Sequence, residues 1–92
     1  MRDEAAYRRA VLQLVDTVLT DDSVYLDSLS DRVQVELTTP LCMAAQALEE
    51  GRSAVELAEA VDLVHAAAAV VRSELPDELW VLIESIRFLG RR

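Results

Sequence analysis

The chain has no lysine, one cysteine, one histidine, two glycines and four aromatic residues in 92 positions. Each shortage removes a class of function. Cys42 has no second cysteine to pair with and sits among apolar neighbours, which gives it a packing role in a reducing compartment. His65 has no second imidazole with which to build a metal site, and a Cys42–His65 nucleophile pair would need a third group to orient the ring. A hydrogen-bonded histidine on a helix near a subunit contact is the expectation instead. Gly51 and Gly90 stand alone and provide no glycine loop for phosphate. No apolar run reaches the length of a membrane span, and the opening MRDEAAYRRAVLQ lacks the hydrophobic stretch of a secretory leader. The expected location is cytoplasmic, with no membrane partner.

The balance of charge is acidic: seventeen carboxylates face nine basic residues, all Arg, for a formal net charge of −8. A field of that sign repels phosphate backbones, so no direct nucleic-acid partner is expected. What the chain has in quantity is Leu, Val and Ala, and hydrophobic residues make up 52 % of it. A domain of this size buries only about 60 to 65 % of its unfolded surface. The surplus of apolar side chains predicts a homodimer, a further protein partner, or both.

The longest segment with one period is SAVELAEAVDLVHAAAAVVRSEL, which predicts a central helix over 53–75. Leu57, Val61, Val64, Ala68, Val71 and Leu75 recur in steps of four and three and mark its inner side. A second stripe runs through Leu63, Ala66, Ala67 and Val70, and no charge interrupts His65 to Val71. The second half of this helix is therefore expected to be covered nearly all round.

Before it, Asp3 to Thr20 reads as a helix with Tyr7, Val11, Leu14, Val15 and Val18 inward, Leu12 and Leu19 widening the stripe, and Arg8, Arg9, Gln13 and Asp16 left for water. Thr20-Asp21-Asp22-Ser23 breaks the period as a turn. Val24 to Leu29 suggests a short helical turn, with Ser30 capping a helix that carries Val33, Leu37, Leu41, Ala44, Ala45 and Leu48. The alternation Val33-Gln34-Val35-Glu36-Leu37 has the pattern of a strand, but a lone strand has no partner in this chain and helix is favoured. Pro40 predicts a kink, or a fresh start capped by Thr39. Gly51 ends that helix and Ser53-Ala54-Val55-Glu56 is a capping box for the next, so a short joint makes the two antiparallel neighbours. Pro76 opens a last helix with Leu79, Leu82, Ile83 and Ile86 on its inner face, ending at Gly90.

The carboxylates Glu56, Glu59 and Asp62, preceded by Glu49 and Glu50, are the feature most like a catalytic site, since acids three apart on a helix can share one hard cation. Glu59-Ala-Val-Asp62 with Gln46-Ala-Leu-Glu49 loosely resembles the acidic pairs of the MazG-type nucleotide pyrophosphohydrolases. That resemblance implies a magnesium site and an all-α fold. Gln46 stands where the pattern has an acid, the two pairs lie close in sequence, and no Lys can reach a phosphate. As a solvated helix face the row needs no ligand. A second alternative is mimicry of nucleic acid by Asp21, Asp22, Asp27, Asp31, Glu36, Glu49 and Glu50, although Arg32 and Arg52 interrupt them.

The run Ala66 to Ala69 allows close approach of another helix, within the bundle or across a dimer axis. Trp80, Val81 and Phe88 fall off the inner stripe of the last helix and suit an interface anchor. The sequence thus predicts a single all-α domain over 1–92, an antiparallel four-helix bundle that dimerises. It acts as a non-catalytic interaction module, a small regulator, antiactivator or adaptor. No cofactor, metal or catalytic residue is assigned; the interface candidates are Trp80, Val81, Phe88, Ala68 and Val71.

Overall fold

Among the described residues, four α-helices form in chain order, each around an apolar stripe. A computed structural model describes residues 3–19 and 29–90. The turn expected at 20–23 and the start of the expected helical turn at 24–28 lie outside the described residues. Helix α1 spans Glu4–Leu19, α2 spans Asp31–Glu49, α3 spans Ala54–Val70 and α4 spans Asp77–Leu89, with a 3₁₀ turn at Arg72–Glu74. No strand occurs among the described residues.

The caps follow the side chains. Asp3 accepts from the Ala6 amide at 2.9 Å, Ser30 from Val33 at 3.3 Å and Ser53 from Glu56 at 3.3 Å, each removing an orphan donor from a helix start. Gly51, at φ +64°, lets the Arg52 amide turn back to the Ala47 carbonyl at 3.0 Å, which closes α2 and frees the chain to begin α3 two residues later.

The favoured helical reading of Val33 to Leu37 holds. Of the two outcomes expected at Pro40, the fresh start capped by Thr39 does not occur: α2 runs through it. Pro40 deprives the Glu36 carbonyl of its amide, but Glu36 is exposed and its carbonyl can turn to solvent. The ring itself is buried on the inner face, where its apolar surface contributes to packing.

The central helix is also shorter than expected. It ends at Val70, and Leu75 is extended at φ −90°, ψ 132°. The cause is Pro76, which disfavours helical geometry in the residue before it. The intervening turn tightens to 3₁₀, and Arg72 fastens it by bonding Asp77 at 2.8 Å. Val71 and Leu75 still reach the core from this corner.

Helix α1 packs against α2 and α4, and α3 against the same two. The radius of gyration is 12.3 Å, matching the roughly 12 Å of one compact body of this length. One apolar cluster joins all four helices: Tyr7, Val11 and Leu14 from α1 meet Val33, Leu37 and Leu41 from α2, Leu57, Val61 and Val64 from α3, and Leu79, Ile83 and Ile86 from α4. Exposed ion pairs pin the elements at their edges: Arg32–Glu74 at 3.2 Å and Arg87–Asp62 at 3.1 Å. Arg8, expected to face water alone, binds Glu4 and also donates to the Arg52 carbonyl, tying α1 to the α2–α3 joint. Each such pair contributes at most about 1 kcal/mol.

Candidate interaction surface

The core closes without several of the largest apolar side chains. On α4, Val81 and Phe88 are each 60 % exposed. They are seven residues apart, two helical turns, and so share one side of the helix. That side lies opposite Ile83, which faces the core. Trp80 stands at its edge and is half-buried, with its ring 4.9 Å from the His65 ring and 5.2 Å from the Arg72 guanidinium. His65 therefore makes a ring contact where a hydrogen bond was expected, and Trp80 is anchored in its own chain, with one part of the indole left to the surface.

The other two interface candidates are placed differently. Ala68 and Val71 are fully buried inside the bundle, so the alanine run serves internal packing at Ala68 while Ala66 and Ala69 face outward. The expectation that the second half of α3 is covered nearly all round is corrected by the same observation: Val70 is 61 % exposed and Leu63 48 %. The second stripe of α3 meets no other helix over much of its width. Cys42, expected to pack, is exposed.

Beside that stripe runs a groove between α2 and α3 of about 360 Å³. Met43 and Ala47 from α2 and Ala60 and Leu63 from α3 supply its apolar lining. Glu50, Glu56 and Glu59 line it as well, with Gln46 and Arg52. Arg52 spans the end of the groove, holding Glu50 at 2.7 Å and Glu56 at 3.0 Å. The hydrogen bond from Arg52, then that from Gln46, then the charge of Arg52 hold the Glu50 carboxyl below its ordinary range, and the two carboxylates raise Arg52 in return.

The carboxylate row expected on one face of α3 is divided between two neighbours. Glu56 and Glu59 turn to the groove, while Asp62 accepts from Arg87 of α4 at 3.1 Å. Among the described residues, no group of three or more His, Cys, Asp and Glu side chains is gathered as a metal site. Of the acids considered for nucleic-acid mimicry, Asp21, Asp22 and Asp27 lie outside the described residues, and Asp31, Glu36, Glu49 and Glu50 are exposed on α2 and its end. No helix among the described residues is long and apolar enough to cross a membrane.

One polar atom is buried without a partner among the described residues, the Tyr7 hydroxyl. Burial, and then the charge of Asp62, push its phenol up from the ordinary value. The close approach of α4 depends on Gly90, where a Cβ would lie 2.8 Å from that hydroxyl.

The groove is the feature that reasoning from sequence missed. Of its α3 half, Leu63 was visible in the second stripe beside the carboxylates, whereas Ala60 was not singled out. Its α2 half, Met43 and Ala47, was not, because which side of α2 meets α3 depends on how the helix passes Pro40. Comparison with known protein families, with characterised proteins and with solved structures found no match to this chain.

Proposed function

We propose that this chain is a non-catalytic protein-interaction module, a small regulator, antiactivator or adaptor that works as a homodimer of antiparallel four-helix units and binds another protein through apolar helical surface. One observation carries the reading: Val81 and Phe88 stay 60 % exposed on one side of α4 while the core closes without them. Covering the exposed part of each would contribute about 1 to 2 kcal/mol, since 60 % of its surface remains to be buried. A second copy laid against α4 recovers that term, with Trp80 at the edge and Glu84 and Arg87 among the polar residues near it. The division of the carboxylate row between Arg52 and Arg87 also supports a non-catalytic role, because these arginines occupy carboxylates that a hard cation would need.

The test is the solution mass by light scattering behind a sizing column, over a range of concentrations, for the wild type and the double variant Val81→Ser/Phe88→Ser. The expected result is a dimer for the wild type and a monomer of unchanged helicity for the variant. A wild type that stays monomeric at every concentration removes the dimer, and a dimer indifferent to both substitutions removes α4 as its contact.

A further inference from the structure

We propose that the groove between α2 and α3 docks a basic amphipathic helix of another protein. The inference rests on the reading of the chain as an interaction module and names the partner's chemistry. Three observations lead to it. The first is shape: the groove lies between two helices with Met43, Ala47, Ala60 and Leu63 as its apolar lining, and beyond it Val70, seven residues after Leu63 and on the same side of α3, is exposed as well. An occupant with matching side chains at i, i+3, i+4 and i+7 can lie along such a lining.

The second is the state of the backbone. Apart from the Glu36 carbonyl opposite Pro40, the amides and carbonyls inside α2 and α3 bond along each helix, so there is no open edge to which an extended strand could add. Side chains must carry the recognition, which favours a helix as occupant. The volume of about 360 Å³ falls at the lower end of the range of about 300 to 1,000 Å³ found for ligand pockets, room for a few side chains of one helix face.

The third is charge. Three carboxylates and one guanidinium line the groove. The guanidinium is already engaged by Glu50 and Glu56, whereas Glu59 has no cation beside it among the described residues. An excess of negative charge around an apolar lining is complementary to an apolar stripe flanked by Lys or Arg. This chain's own exposed apolar face on α4 lacks such flanks, since Val81 and Phe88 stand beside Glu84 as well as Arg87. The groove therefore fits a different, basic partner.

The experiment uses the full chain and two fluorescein-labelled synthetic helices of sixteen residues, alike in their Leu stripe and flanked in one by Lys and in the other by Glu. Binding is followed by anisotropy at low and high salt. The Lys-flanked peptide is expected to bind, more weakly as salt rises, and the Glu-flanked one not to bind. Glu56→Lys/Glu59→Lys is expected to weaken binding at least about tenfold, the scale of lost complementary charges. Leu63→Asp is expected to do the same, while Val81→Ser/Phe88→Ser leaves binding unchanged. The proposal is overturned if the Lys-flanked peptide fails to bind, if both peptides bind alike, or if binding survives both groove variants. Loss of binding in the α4 variant alone would remove the groove but keep the interaction module. Failure of both peptides together with a monomeric wild type would remove the module itself.

Discussion

Past Asp62 the two sides of α3 are both apolar in sequence and opposite in fate. Toward the core, Leu57, Val61, Val64 and Ala68 are buried; away from it, Leu63, Ala66 and Val70 meet solvent. Helix α2 and helix α4 close the first side, and no described part of the chain closes the second. Apolar periodicity shows that a helix will be covered, but not by which molecule. In α1, where Arg and Gln mark the wet side, Tyr7, Val11, Leu14, Val15 and Val18 are the inner face both in sequence and in the fold, while Leu12, read as widening it, is 48 % exposed. In α3, where the wet side is also apolar, the two functions of hydrophobic surface, folding and association, look the same in the pattern.

Substitutions that enlarge one side at a time should separate these functions. Ala68→Leu overpacks a fully buried position and is expected to lose about 1 to 3 kcal/mol in chemical denaturation. Ala66→Leu, two residues away on the outer side, is expected to stay within about 0.5 kcal/mol. Equal losses at both positions would erase the distinction between the faces.

A smaller effect sharpens the same comparison inside the core. The Tyr7 hydroxyl is buried without a partner among the described residues, so Tyr7→Phe removes an unsatisfied group and is expected to leave stability unchanged or raise it by up to about 1 kcal/mol. The sign of the pH effect follows from the raised phenol pKa in the folded state. Stability from this group is fully present below the ordinary tyrosine value near 10 and is lost as pH rises through the higher folded value. Thermal unfolding of Tyr7→Phe should therefore fall less steeply than the wild type in that alkaline window. A destabilised Tyr7→Phe would mean that the hydroxyl has a partner in solution.

Much of the architecture was legible. The caps at Ser30 and Ser53, the left-handed Gly51 and most of the inner stripes of α1 and α4 follow from local chemistry that acts within a turn of the residue concerned. The strand-like reading of 33–37 arose because positions four apart satisfy both periods. Val33 and Leu37 are buried in the helix as they would be in a strand, and only Val35, 72 % exposed, distinguishes the two. The end of α3 was overextended because Val71 and Leu75 keep the helical spacing although Pro76 has already drawn the backbone out of it. Of the candidate surface, Val81 and Phe88 were legible as residues off the inner stripe. Ala68 and Val71 were not separable from it, since choosing between core and contact requires knowing where the neighbouring helices lie.

The central claim is that the apolar surface left open by the bundle exists to meet other protein. The most direct measurement is the concentration dependence of methyl and aromatic NMR shifts, from micromolar to millimolar chain. The account predicts that Val81 and Phe88 shift with concentration together with a rise in apparent mass, while Leu57 and Val64 in the core stay constant. Shifts that are flat for all four residues, with the mass of a single chain throughout, would contradict self-association through α4.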